Sequence, residues 1–145
     1  MLSLLLTVLI GILGGIAVGL QGPIASQMSQ RIGSAASSLV VHVSGAFLSG
    51  VLLIARGGEE IRNWRSLSWY MLISGAFGVI LYLTLNHTMP RLGATTALAL
   101  IIIGQLAMGI IIDHFGLFGV SVRHIDLIRV AGVALLIAGG YLIVK

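Results

Sequence analysis

Four polar side chains lie inside long apolar stretches of this sequence, where they could bind a polar solute. They are Gln21, His42, Tyr82 and Gln105. Glutamine amides and tyrosine hydroxyls both donate and accept hydrogen bonds, and histidine can also change its charge near neutral pH. Because an unpaired polar group in hydrocarbon is unfavourable, each residue needs a partner. The sequence leaves open whether that partner is a solute or a neighbouring helix.

His42 is the only ionisable residue well inside an apolar stretch. It belongs to a polar stripe that a helix would place on one face, formed by Ser34, Ser38, His42, Gly45 and Ser49. Such a stripe must face protein or a water-filled cavity rather than lipid. We interpret His42 as the candidate proton-coupling residue. The alternative is a neutral histidine that is hydrogen-bonded to a neighbouring helix.

Enzymatic and metal chemistry have no support in the sequence. No apolar stretch contains paired carboxylates, a Ser-His-Asp set or a histidine cluster, so we expect neither an enzyme nor a cofactor. Asp113 and His114 are too few to form a metal site, and the chain has no cysteine. The net charge is only +4 and the basic residues are scattered, which argues against nucleic-acid binding.

The composition requires a lipid bilayer around most of the chain. Hydrophobic residues make up 58% of it and charged residues 8%, against about 25% charged in a soluble domain. We predict one all-α domain over residues 1–145, a polytopic transmembrane helix bundle. The apolar stretches place five spanning helices at about residues 2–30, 34–55, 69–89, 92–114 and 124–144. In the last helix, Gly132, Gly139 and Gly140 offer close packing positions.

The distribution of positive charge bears on how the chain inserts. With the N-terminus inside, five positive residues fall on the inner side and three on the outer side, a weak bias that permits insertion both ways. Five helices also form a small bundle for enclosing a solute pathway. Many transporters use two inverted repeats with the binding site between them. The sequence therefore suggests that one chain needs an inverted partner.

Several motifs resemble the drug/metabolite transporter superfamily, and within it the small YdcZ-type inner-membrane proteins. They are GLQGPIASQMSQRIGS at Gly19–Ser34, LGATTALALIIIGQL at Leu92–Leu106, IDHFGLFG at Ile112–Gly119 and GVALLIAGGYL at Gly132–Leu142. The segment NHTMPRLGATTALA is also similar to the junction between the second and third helices of small multidrug resistance proteins. Those proteins carry a membrane-embedded glutamate in their first helix. The corresponding helix here, Ser34–Ala55, has no carboxylate, and His42 is its only titratable residue.

The resemblance implies a multi-pass protein of the bacterial inner membrane that exports a small metabolite or drug-like solute. It implies one repeat of an inverted-repeat transporter, which works by alternating access as an antiparallel dimer with dual topology. The partner would be a second copy of the chain or a paralogue, and the last helix, with Gly132, Gly139 and Gly140, would form the dimer contact. From the polar residues themselves, we predict that Gln21, His42, Tyr82 and Gln105 line one cavity near the midplane and bind the solute there. The alternative is a non-transporting regulatory or assembly subunit of a membrane complex.

Overall fold

The structure, a computed structural model, describes residues 2–144, and this part of the chain is helical without any β-strand. Two short 3-10 helices, Ile61–Ser66 and Leu117–Gly119, lie in the loops. The α-helices are α1 (Leu2–Ile32), α2 (Ser34–Ala55), α3 (Trp69–Leu72), α4 (Gly75–Leu92), α5 (Ala94–Phe115) and α6 (Leu127–Val144). The predicted all-α class is confirmed. Pro23 lies inside α1, and the helix continues through it.

Within residues 2–144, four helical segments are long and apolar enough to cross a membrane. They are Leu2–Ile32, Ser34–Ala55, Trp69–Leu92 and Ala94–Phe115. The third of these joins α3 and α4, which a short turn separates. Helix α6 is also apolar, but its 18 residues put it near the short end of the length that spans a bilayer. The prediction of five spans therefore stays a prediction for this last helix.

The largest apolar side chains lie on the outside, which is the reverse of a soluble protein. Phe47 is 75% exposed and Phe77 is 71% exposed. The buried positions are instead occupied mainly by small or polar residues, among them Ala25, Ser37 and Thr96. Helices in a bilayer gain little from burying apolar surface, so they associate through small residues and interhelical hydrogen bonds. The exposed large apolar side chains and the buried small or polar residues therefore both indicate that a lipid bilayer surrounds the helices.

The chain forms two compact units, Met1–His87 and Thr88–Lys145. In the first unit, α1 and α2 form a helical hairpin joined by the single residue Gly33. Gly33 has φ +88° and ψ 153°, a backbone region that only glycine adopts without strain. Its N–H bonds to the Ser29 carbonyl, and its own carbonyl accepts the N–H of Ser37. Glycine at this position therefore lets the chain reverse within one residue.

A second turn of the same kind occurs 60 residues later, at Gly93 between α4 and α5. Gly93 has φ +80° and ψ 162°, and its backbone bonds to Met89 and Ala97 match those of Gly33. The sequences that lead into the two turns are similar. Arg31-Ile32-Gly33 forms the first, and Arg91-Leu92-Gly93 forms the second. The buried residues of α1 and α4 also share this offset, with Gly22, Ala25, Ser26 and Ser29 matching Tyr82, Leu85, Asn86 and Met89. The chain thus contains a helix–glycine–helix repeat with an offset of 60 residues.

In the second unit, α5 and α6 are held together by close packing and by one ion pair. A Cβ atom at Gly140 would lie 2.6 Å from the Ile103 side chain, so this glycine allows α6 to approach α5 closely. Near the other end, Arg129 Nη1 lies 3.3 Å from Asp113 Oδ2. The Asp126 carboxylate accepts the Arg129 N–H at 2.7 Å and so caps the start of α6. Asp113 therefore connects α5 to α6.

Candidate functional site

A cavity of about 360 Å³ lies between α1, α2 and α4 in the first unit. Three of the four polar residues singled out in the sequence line it, namely Gln21, His42 and Tyr82. Pockets that hold small ligands have volumes of about 300–1,000 Å³, so this cavity is large enough for a small solute. The rest of its lining is apolar or glycine: Val18, Gly22, Ala25, Val41, Gly45, Ala46, Gly78, Leu81 and Leu85.

The tautomer of neutral His42 follows from its hydrogen bond to the backbone. Nδ1 lies 2.7 Å from the carbonyl oxygen of Ser38 and 3.3 Å from the Ser38 hydroxyl. A carbonyl oxygen can only accept a hydrogen bond, so Nδ1 carries the hydrogen and donates it. Nε2 of the neutral ring is then an acceptor. A Cβ atom at Gly78 would lie only 3.3 Å from this Nε2, so the glycine leaves Nε2 accessible.

Tyr82 is fixed by a directed chain of hydrogen bonds. The Ser37 hydroxyl donates to the Ala25 carbonyl at 3.1 Å. Because a serine hydroxyl has a single hydrogen, the 2.7 Å contact between Ser37 Oγ and Tyr82 Oη must be donated by Tyr82. The His42 and Tyr82 rings meet edge to face with centroids 6.0 Å apart. This chain connects α4 to α2 and α1 and holds the tyrosine ring at the cavity wall.

The cavity wall carries no formal charge when His42 is neutral. None of its lining residues is an aspartate, glutamate, lysine or arginine. His42 and Tyr82 are therefore the only titratable side chains that line it. Gln21 contributes an exposed amide, which has no hydrogen-bond partner among residues 2–144. The site can therefore form hydrogen bonds with a solute through these side chains. It has no permanently charged side chain that could pair with an ionic solute.

The fourth predicted residue, Gln105, lies in the second unit. It lines a different cavity, of about 370 Å³, together with Asp113, Arg129 and Gly132. Its side chain is exposed and its amide has no partner among the described residues. The expectation that Gln105 joins His42 in one site stays a prediction, because the two residues belong to different units.

The three glycines assigned to packing differ in their surroundings. Gly140 is buried against Ile103 within the same chain, so its space is already used by α5. Gly132 and Gly139 have no side-chain atom of another residue within 4 Å of a Cβ position. Both line open pockets between α5 and α6, while Gly140 serves the packing of α5 on α6. Their role in a dimer stays a prediction.

Several buried polar residues were not singled out in the sequence, and Ser37 and Asn86 lie nearest to the predicted site residues. Ser37 is fully buried and bonds to Tyr82. The polar stripe predicted from the sequence included its neighbour Ser38 instead. Asn86 is also buried, with 6% of its surface exposed. Neither polar atom of its side chain has a partner in the described part of the chain. Its spacing of four residues from Tyr82 is the signal that could have revealed its burial.

Taken together, the apolar surface, the long apolar helices and the small polar cavity define a multi-pass helical membrane protein. A family model described as "Putative inner membrane exporter, YdcZ" matches residues 6–142. The chain therefore belongs to the YdcZ family of the drug/metabolite transporters, and it resides in the inner membrane. The family is one of exporters rather than of enzymes. No curated protein and no solved structure matches the sequence.

Proposed function

We propose that this chain is the subunit of an exporter that moves a small metabolite or drug-like solute by alternating access. The observation that carries the proposal is the cavity of Gln21, His42 and Tyr82, a polar site with an otherwise apolar wall inside a membrane protein. Polar side chains within spanning helices are unfavourable unless they line a solute pathway or bond to another polar group. Membership of an exporter family supports the same function.

In this proposal each of the three side chains has its own task. The Gln21 amide is free to bond the solute, because no described residue occupies it. Tyr82 is held by Ser37 and forms a fixed wall of the site. His42 either orients the solute through Nε2 or takes up a proton there and couples solute movement to a pH gradient. A gain of charge at Nε2 would change the affinity of this uncharged site for the solute, which is what coupling requires.

The transporter unit in this proposal is an antiparallel dimer of two copies, or of one copy and a paralogue. An exposed glutamine amide on a spanning helix, such as that of Gln105, is unfavourable against lipid and favourable against a partner. Gly132 and Gly139 provide open positions on α6 where a second chain can approach. The weak charge bias of the loops permits both orientations in the membrane.

Solute flux into proteoliposomes tests the transport proposal. Purified protein is expected to move at least one labelled solute faster than protein-free liposomes do, with a rate that depends on an imposed pH gradient. The His42→Gln variant keeps a neutral hydrogen-bonding side chain but cannot titrate. We expect its flux to lose the pH dependence. If the variant retains the pH dependence of the parent, His42 is not the coupling residue.

Topology tags and cross-linking test the dimer. Reporter tags on the C-terminus are expected to be found on both sides of the membrane, and a cysteine placed at Gly139 is expected to cross-link two copies. A single orientation without any self-dimer, together with stable binding to an unrelated membrane protein, would contradict the dimer. That result would instead favour a regulatory or assembly subunit.

A further inference from the structure

The cavity of the first unit offers hydrogen-bond acceptors at fixed places and no fixed charge, and this limits the solutes that it can bind. We propose that its solute is a small, largely apolar, uncharged molecule with one hydrogen-bond donor that bonds to His42 Nε2. Alcohols, phenols and aromatic N–H compounds belong to this class. The inference rests on the proposed function, because it takes the cavity to be the solute site.

The first step is the acceptor at His42. Its Nδ1 hydrogen is donated to the Ser38 carbonyl at 2.7 Å, so the neutral ring presents a lone pair at Nε2. No described side chain bonds to Nε2. Gly78 lies beside this atom without a side chain to cover it. A solute that donates a hydrogen bond would satisfy Nε2, whereas a solute without a donor would leave it unpaired.

The second step is the direction of the Tyr82 hydroxyl. Its hydrogen is donated to Ser37 Oγ at 2.7 Å, because the Ser37 hydrogen is itself donated to the Ala25 carbonyl. The tyrosine oxygen can therefore only accept a further bond. His42 Nε2 and Tyr82 Oη, the two polar atoms that the fold holds in place, are thus both hydrogen-bond acceptors. Only the Gln21 amide can donate to a solute.

The third step is charge. A cation in an apolar site needs a carboxylate or a similar counter-charge, and the cavity lining has none. An anion would face the lone pair of His42 Nε2 while the imidazole is neutral. The nine other lining residues are apolar or glycine, and they match an apolar body. An uncharged donor therefore fits the cavity better than either kind of ion.

Solid-state NMR on the full chain in lipid bilayers, with ¹⁵N-labelled histidine, reads the contact at Nε2 directly. Three probes differ in one property: benzyl alcohol donates a hydrogen bond, its methyl ether does not, and benzylamine is a cation. The measurement is made at about pH 8, where a free histidine is neutral. Deleting His42 as His42→Phe assigns its signal among the four histidines of the chain.

We expect the signal of free His42 to show the Nδ1–H tautomer. Benzyl alcohol should shift the Nε2 resonance and bind roughly tenfold more tightly than the ether, since the bound ether covers this acceptor and leaves it unpaired. The ether enters lipid more readily than the alcohol, so a general membrane effect would give the opposite order. Gly78→Ala should abolish the shift by placing a methyl group against Nε2, at 3.3 Å. Gly75→Ala, on the same helix with open space around it, is the matched control and should retain it.

Equal binding of the alcohol and the ether, or tightest binding of benzylamine, would overturn the inference. Failure of the proposed function would be seen separately. A protein that binds benzyl alcohol at Nε2 but moves no solute supports the chemical class and contradicts transport. A protein that moves solutes without any preference for the donor contradicts the chemical class alone.

Discussion

The hydrogen bond between Ser37 and Tyr82 can be tested by a double-mutant cycle. Ser37 is fully buried, Tyr82 is 4% exposed, and their oxygens are 2.7 Å apart. Tyr82→Phe removes the donor while Ser37 keeps its bond to Ala25. A net loss of about 1 kcal/mol in the free energy of unfolding is expected, since interhelical hydrogen bonds in membranes contribute about 0.6 and at most about 1.7 kcal/mol.

Ser37→Ala should be the more damaging change, with a loss of about 1–3 kcal/mol, because it leaves the tyrosine hydroxyl buried without an acceptor. The double variant should lose less than the sum of the two single variants, and the difference should be about 1 kcal/mol. Equilibrium unfolding in mixed detergent micelles measures all four proteins. Tyr141→Phe, at a 66% exposed tyrosine, is the control and should change nothing. A coupling free energy indistinguishable from zero would refute the assigned bond.

Three further predictions concern stability. Gly33→Ala should lower the free energy of unfolding by about 1–3 kcal/mol, because φ at this position is +88°. Gly11→Ala, at an open helical position, is the control and should not lower it. Equal effects of the two substitutions would contradict the strained turn. Arg129→Gln should cost no more than about 1 kcal/mol, because the ion pair with Asp113 is about one third exposed, and a larger loss would show that the pair is better shielded. Asn86→Leu should leave thermal stability unchanged or raise it, because the buried amide has no partner in the described chain; a marked loss would reveal one.

The helical architecture could be predicted because it depends on the hydropathy of long stretches. In the structure α2 runs over Ser34–Ala55, and the apolar stretch from residue 69 onward is divided into α3 and α4. The family could also be recognised, because its motifs are spread over most of the chain. Three of the polar residues singled out in the sequence, Gln21, His42 and Tyr82, line one cavity, and their role there stays a prediction. A polar side chain inside an apolar span needs a partner, and the residues that need one collect at the same cavity.

The details of pairing could not be predicted, because they depend on helix rotation. Ser37 and Ser38 are adjacent and equally polar, and a rotation of about 100° decides which of them meets Tyr82. The burial of Asn86 has the same origin, since hydropathy places it near a helix end and only packing covers it. The repeat of Arg31–Gly33 at Arg91–Gly93 was present in the sequence. It went unrecognised because the residues that follow differ while the backbone turn is the same.

The most direct test of the central claim is solute flux in proteoliposomes that contain the Gly78→Ala variant. This substitution leaves Gln21, His42 and Tyr82 in place and adds one methyl group beside His42 Nε2. If the cavity is the solute site, flux under a pH gradient falls toward the level of protein-free liposomes, while Gly75→Ala transports as the parent does. Equal flux in the parent, Gly75→Ala and Gly78→Ala, at equal amounts of folded protein, would contradict the claim that solute passes through this cavity.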